Sequence, residues 1–150
     1  MRTLVRRFLL TVVIAASTFF AAAATTRTRE PKIYHYEPHI ETLKGILRTR
    51  MYPGPPGYES VKKGDEVEHI WLVKLKNPIT VTGAADPTSQ NEKETGIKEI
   101  QLIVIDEKIE KKLRKLMGHN IRFTGILTHA ITGHHHLPIL MEVKGFKVEK

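Results

Sequence analysis

One helical segment in a chain of otherwise strand-like runs is the feature that most constrains the fold. After Asp106, apolar side chains recur at helical spacing at Ile109, Leu113 and Leu116, and Lys and Glu occupy the positions between them. Asp106 is a typical N-cap residue, and Gly118 is typical of a helix end. The sequence therefore predicts a single amphipathic helix in this part of the chain.

The runs on either side of this helix alternate apolar and polar residues or are rich in β-branched residues, which is typical of strands. Three such runs precede the helix and two follow it, at residues 43–52, 69–76, 97–105, 121–129 and 139–148. We expect Pro78 to end the second run, because proline cannot donate to a strand ladder. A short alternating piece follows at residues 79–82.

Three strands, a helix and two further strands give the element order of an OB-fold, a small, partly open Greek-key barrel. Gly45 and Gly125 fall inside predicted strands and fit strands that bend sharply to close such a barrel, and Gly145 predicts a bulge. We therefore expect a mainly β, OB-fold-like five-stranded barrel domain over residues 39–150. The alternative is another small α+β roll with different strand pairing.

The N-terminus is typical of an export signal. Three arginines within the first seven residues precede an apolar run at residues 8–20, and four alanines at 21–24 provide a small-residue cleavage site. We predict a signal peptide at residues 1–24, a periplasmic or secreted protein, and a polar tether at residues 25–38. The alternative is an uncleaved anchor, although the apolar run is short for a span of about 20 residues.

Composition narrows the class of function. The chain has no cysteine, which excludes a disulfide scaffold, a thiol nucleophile and a thiolate metal ligand. Cleavage of the signal would lower the formal net charge from +8 to about +5. Export argues against a nucleic-acid partner, and no membrane contact is predicted after cleavage. The remaining positive charge suits an acidic or polar envelope partner, such as a protein, a peptide or a glycan.

Four of the eight histidines lie between residues 129 and 136, where the last two predicted strands are joined. Imidazole is a common ligand of zinc and copper. In an extended segment His134 and His136 point the same way, and a hairpin would bring His129 across to them. These three histidines are the candidate metal ligands. The alternative is structural, since a histidine can hydrogen-bond loop backbone and hold a hairpin in place.

The binding hypothesis rests on the loops at the rim of the predicted barrel, because OB-type barrels bind ligands there. Tyr58 and Asp65 belong to the proline-rich loop after the first strand and join the histidine cluster as predicted ligand-binding residues; the full set is Tyr58, Asp65, His129, His134 and His136. We predict a non-enzymatic binding or accessory module. It needs no cofactor under this hypothesis.

Two other functions stay open. The first alternative is a histidine-based zinc or copper binding protein. The second is an envelope hydrolase, in which Asp65 or Glu68 pairs with a histidine for acid–base chemistry. The hydrolase hypothesis is the weaker one, because the sequence contains no Gly-x-Ser-x-Gly element and no phosphate loop.

Two sequence elements are specific enough to suggest a family. They are Gly54-Pro55-Pro56-Gly57-Tyr58 and Thr132-Gly133-His134-His135-His136. Together with Ile100-Gln101-Leu102 they resemble the exported bacterial domain of unknown function 4431, over residues 36–146. The resemblance implies a folded domain of the bacterial envelope and carries no established activity.

Overall fold

The computed structural model describes residues 30–83 and 92–149, so the predicted signal peptide at 1–24 lies outside the described residues. The strands are β1 (Lys32–His35), β2 (Ile40–Pro53), β3 (Val67–Thr82), β4 (Glu94–Ile103), β5 (Asn120–His129) and β6 (Ile139–Val148). The helix α1 spans Glu107–Leu113 and continues into a 3₁₀ turn at Arg114–Leu116, and another 3₁₀ turn at Val61–Lys63 lies between β2 and β3. The described residues are mainly β, as predicted.

Five of the strands, β2 to β6, close into a ring. Antiparallel ladders join β2 to β3, β3 to β4, β2 to β5 and β5 to β6. A short parallel ladder between β4 and β6 completes the ring, and β1 adds to β3 outside it. The helix therefore lies between the third and fourth strands of the ring, where the sequence places it.

The helix begins and ends as its local sequence predicts. The Asp106 carboxylate accepts hydrogen bonds from the backbone N–H groups of Lys108 and Ile109, which would otherwise have no helical partner. Leu113 is fully buried in the core of the ring. Gly118 has a φ of +82°, a left-handed conformation that favours glycine after a helix. No helix in the described part of the chain is long and apolar enough to cross a bilayer.

Close backbone approach explains both glycines inside the ring strands. A Cβ at Gly45 would collide with the carbonyl oxygen of Lys74 on β3, and a Cβ at Gly125 would collide with that of Glu142 on β6. The β5–β6 register slips beside Gly125, at the bulge that Gly145 predicts. These positions require glycine because strands curve tightly against each other there.

Part of the predicted tether is a strand. β1 lies within residues 25–38 and pairs in parallel with the end of β3, from Lys32 opposite Ile79 to His35 opposite Thr82. Tyr34 and Tyr36 are buried in the core, which supplies the apolar contact that holds this segment to the ring. The folded unit therefore begins before residue 39.

The predicted break at Pro78 is also wrong, because β3 continues through it. β3 pairs with β2 as far as Leu75 and with β1 from Ile79 onward, so Pro78 lies where the strand changes neighbours. The β3–β4 register is irregular over the same stretch. A residue without an N–H is tolerated at such an irregularity.

The ring has a core inside and a second buried row outside. Leu72, Gln101 and Leu140 lie side by side across β3, β4 and β6. All three are buried, but they face away from the core that contains their neighbours Ile100 and Leu102. The loop between β5 and β6 folds back over this row and positions the candidate site.

Candidate functional site

Gln101 attaches the β5–β6 loop to the sheet. Its side chain, 4% exposed, donates from Nε2 to the backbone oxygen of His134 at 2.8 Å. Its Oε1 accepts from the backbone N–H of His136, also at 2.8 Å. One buried amide thus satisfies both a donor and an acceptor of the loop, which fixes the height of the two histidines above the strand.

His135 holds the same loop together from within. Its Nδ1 accepts from the backbone N–H groups of Ile131 at 2.9 Å and Thr132 at 3.3 Å. Burial, together with the neighbouring imidazoles of His134 and His136, lowers the pKa of His135. The structural role that the sequence left open for a histidine belongs to His135, which was not among the predicted site residues.

Asp65 performs the corresponding task in the β2–β3 loop. Its Oδ1 accepts from the N–H of Gly57 at 2.8 Å, and its Oδ2 accepts from the N–H groups of Glu59 at 2.8 Å and Ser60 at 2.7 Å. These backbone hydrogen bonds lower the pKa of the Asp65 carboxyl. Both oxygens accept from loop backbone, so Asp65 positions the loop that carries Tyr58. Its predicted contact with a ligand stays a prediction.

The two loops meet at Tyr58. This residue has a φ of +57°, a left-handed conformation that is uncommon for a residue with a side chain. Its ring lies against Gly133, where a Cβ would come within 3.2 Å of the ring edge. Its hydroxyl lies 2.9 Å from His134 Nε2 and donates to it when His134 carries its proton on Nδ1.

Glu68 lies beneath both histidines. Its Oε1 is 3.1 Å from His134 Nδ1, and its Oε2 is 3.0 Å from His136 Nε2. Burial opposes ionisation of this carboxyl, but the hydrogen bonds from His136 and His134 outweigh it and lower the pKa of Glu68. A single carboxylate therefore joins two imidazoles, one tautomer of each being fixed by the contact.

Tyr52 completes the group from β2. Its ring stacks on that of His136, with centroids 4.4 Å apart and planes 9° apart. Arg50 donates to the Tyr52 hydroxyl at 3.2 Å and forms a two-pronged ion pair with Glu99, both contacts being 2.7 Å. We call the five residues Tyr52, Tyr58, Glu68, His134 and His136 the histidine–tyrosine face.

The face is open at one histidine and closed at the other. The side chain of His134 is 58% exposed, whereas that of His136 is 9% exposed between Tyr52 and Glu68. A ligand would therefore meet His134 and Tyr58 first. The available chemistry is that of imidazole and phenol hydrogen bonds beside aromatic surface, which suits a polar ligand.

His129 does not belong to this face. Its Nε2 lies 3.3 Å from Glu94 Oε1, and its ring packs edge-on against Tyr36. Burial, together with the nearby Glu94 carboxylate, raises the pKa of Tyr36 to about 12. Two residues after the buried Leu127, His129 shares its inward direction, whereas His134 and His136 lie over the outer face. The three predicted metal ligands are therefore not brought together.

The described residues do not assemble a ligand set for a metal centre. Within residues 30–83 and 92–149, no group of three or more His, Cys, Asp or Glu side chains could hold a metal ion. His134 and His136 direct their nitrogens at Glu68, and the proton on each nitrogen makes a hydrogen bond to that carboxylate. The zinc or copper hypothesis gains no geometric support from the described residues.

Comparison with known proteins gives a family for the C-terminal part. Residues 99–149, about a third of the chain, match the model of a domain of unknown function (DUF4431). The match covers the second half of β4 and all of α1, β5 and β6, and it confirms the resemblance for this part of the chain. No curated protein matches the chain, and no solved structure does.

The matched segment supplies the two histidines of the histidine–tyrosine face. It contains Gln101, His134, His135 and His136, whereas the tyrosines and Glu68 come from the preceding strands. Sequence reasoning named the histidines and Tyr58 but missed Gln101. The available signal was a glutamine between Ile100 and Leu102 at the apolar end of a central strand, because a buried amide there must find hydrogen-bond partners.

Proposed function

We propose that this protein is a non-enzymatic binding module of the bacterial envelope, exported through the signal peptide at residues 1–24, and that the histidine–tyrosine face contacts its ligand. One observation carries the proposal. Two loops from different hairpins converge over Glu68 and present Tyr58 and the exposed His134 side by side. Their internal anchors, Asp65 and His135, hold this arrangement before any ligand arrives.

We further propose that the ring is an OB-fold-like barrel. In support, β2 pairs with both β3 and β5, β4 and β6 close the ring in parallel, and α1 lies between β4 and β5. OB-folds bind ligands on the face of their second and third strands and on the loops joining strands one to two and four to five. Those loops correspond to the β2–β3 and β5–β6 loops here, which form the histidine–tyrosine face.

The ligand we propose is an envelope protein, peptide or glycan. The exposed part of the face offers hydrogen-bonding groups at Tyr58 and His134 and aromatic surface at Tyr52, which suits peptide amides and sugar hydroxyls.

Amide chemical shifts test this proposal. Envelope-derived glycans and peptides are titrated into the ¹⁵N-labelled protein, and we expect saturable shifts concentrated in residues 52–68 and 130–138. The matched variant Tyr58→Phe/His134→Leu, which keeps the ring at 58 and the loop length, should weaken that binding about tenfold, since it removes the two exposed hydrogen-bonding groups. A ligand that binds this variant as tightly as the unchanged protein, or shifts only residues elsewhere, contradicts the proposal.

One contact favours a second function, hydrolysis. Tyr58, His134 and Glu68 form a hydroxyl–imidazole–carboxylate chain, with links of 2.9 Å and 3.1 Å. Such a chain can move a proton from the hydroxyl to the imidazole. Ester hydrolysis that Tyr58→Phe and Glu68→Gln both abolish would establish the second function.

A further inference from the structure

A second surface lies away from the histidine–tyrosine face, at the other end of β3. It is a groove of about 1040 Å³ between β1 and the first half of β2. From Glu68 to the groove residue Lys76 is eight residues along one strand, or about 26 Å at the usual rise. We propose that this groove binds an extended acidic peptide, which adds as a strand to β1.

The groove exists because β2 and β3 separate. Their ladder ends where Gly45 opposes Leu75, and from Ile79 onward β3 pairs with β1 instead. The first residues of β2 pair with β5 on their other side. β1 and β2 therefore face each other across a gap in which the described residues place no strand.

The floor of this gap is apolar and its rim is cationic. The nearly buried side chains of Tyr34, Leu75 and Ile79 form the floor. The four cations that line the groove are Lys32, Lys44, Lys76 and Arg122. Three carboxylates lie at the groove. Glu30 lines it, Glu41 accepts from the edge of β1, and Glu149 pairs with two of the cations, Lys44 at 2.6 Å and Arg122 at 2.8 Å. Positive charge is in excess, so an acidic ligand is favoured.

The edge of β1 is suited to pair with a peptide backbone. In a parallel ladder, alternate residues direct their N–H and C=O groups to the same side. Tyr36 donates its N–H to Thr82 on β3, so Ile33 and His35 direct theirs toward the groove. The N–H of His35 already pairs with an acidic group, because it donates to the Glu41 carboxylate at 2.9 Å. An extended peptide can use the rest of this edge by β-strand addition.

Charge also decides which occupant fits. The chain segment that leads into β1, residues 25–29, carries Arg27 and Arg29 and no acidic residue. After cleavage of the signal the formal net charge is still about +5, so a second copy would be repelled. An acidic partner with alternating apolar residues matches both the apolar floor and the cationic rim of the groove, because successive side chains of a strand face opposite sides.

A fluorescent heptapeptide of alternating Glu and Leu, with Glu at both ends and blocked termini, tests the inference. Anisotropy with the full-length protein should show saturable binding that weakens as salt is added. Lys32→Glu/Lys76→Glu should weaken binding about tenfold. Neither lysine has an ion-pair partner among the described residues, so the change should spare the fold. If the double variant does not fold, Lys76→Ala replaces it and should weaken binding about threefold.

The matched control is Lys108→Glu/Lys112→Glu on α1, which changes net charge equally and should leave affinity within about twofold. Hydrogen exchange supplies the second measurement, since the peptide should protect the Ile33 amide. Equal weakening by the control variant, or binding without protection of Ile33, overturns strand addition. Either result would mean that the positively charged protein attracts polyanions in general. The absence of saturable binding overturns the inference outright. The face variant Tyr58→Phe/His134→Leu should not change peptide binding, which separates this inference from the proposed function.

Discussion

The two loops of the histidine–tyrosine face use the same device with opposite charge requirements. Asp65 accepts three backbone N–H groups in the β2–β3 loop, and His135 accepts two in the β5–β6 loop. A carboxylate accepts when it is ionised, whereas imidazole Nδ1 accepts only when it is unprotonated. The comparison teaches that equivalent backbone geometry can be given very different sensitivity to pH by the choice of one side chain.

The direction of each pKa shift defines the pH range in which each anchoring side chain becomes protonated and stops holding its loop. The pKa of Asp65 is lowered from 3.8, so its contribution to stability is present above that pH and is lost only as the pH falls through the lower folded value. The pKa of His135 is lowered from 6.5, so its contribution is present above pH 6.5 and is lost as the pH falls below it. The β5–β6 loop should loosen in mild acid, while the β2–β3 loop stays ordered.

The largest expected effect comes from Gln101→Leu, because the β5–β6 loop depends on this buried amide as well as on His135. The substitution leaves the His134 carbonyl and the His136 N–H without their buried partner and should lower the free energy of unfolding by about 2 kcal/mol. Urea denaturation measures the loss. Hydrogen exchange should quicken in residues 130–138 more than in residues 54–66, and equal quickening in both loops would show that they are not held separately.

Asp65→Ala is the next largest change and acts on the other loop. It removes all three acceptor contacts, so amide exchange at Gly57, Glu59 and Ser60 should quicken and the melting temperature should fall. Asp65→Asn is the matched control, because one side-chain oxygen remains and should retain part of the protection. If alanine and asparagine behave alike, the hydrogen bonds do not hold this loop.

A pH titration should separate the loops without any substitution. As the pH is lowered from neutral through the depressed pKa of His135, the amides of Ile131 and Thr132 should lose protection, after correction for the intrinsic exchange rate, because protonated His135 no longer accepts from them. The amides of Gly57 and Ser60 should keep theirs. In His135→Asn, whose side-chain oxygen does not titrate in this range, the loss at 131 and 132 should disappear. A loss that persists in this variant would assign the effect to another group.

Local sequence cues predicted the elements well, because their causes are local. Asp106 caps α1 through N–H groups two and three residues away, and Gly118 adopts the left-handed conformation expected after the helix. Gly45 and Gly125 marked the strand bends correctly, since each lacks the Cβ that would collide with the next strand. The class of fold and the position of its helix followed from these signals.

The partners of individual side chains could not be predicted in the same way, because they come from distant parts of the chain. His129 is close in sequence to His134, yet strand alternation directs it inward to Tyr36 and Glu94. β1 was missed because its short polar sequence becomes a strand only when it pairs with the end of β3. Asp65 looked available to a ligand because its hydrogen bonds to three backbone N–H groups cannot be read from a sequence.

The smallest expected effect, from Gly133→Ala, tests whether the two loops truly touch. A Cβ here would lie 3.2 to 3.3 Å from three atoms of the Tyr58 ring, so the ring must move by a few tenths of an ångström. Gly133 is not in the left-handed region, so alanine adds no backbone strain and stability should change by no more than about 0.5 kcal/mol. Amide shifts should nevertheless change in both loops, at Tyr58 as well as at His134. Gly145→Ala is the control, because its Cβ would meet nothing within 4 Å, and it should leave both loops unchanged. Shifts confined to the β5–β6 loop in Gly133→Ala would mean that Asp65 and His135 order two independent loops instead of one shared face.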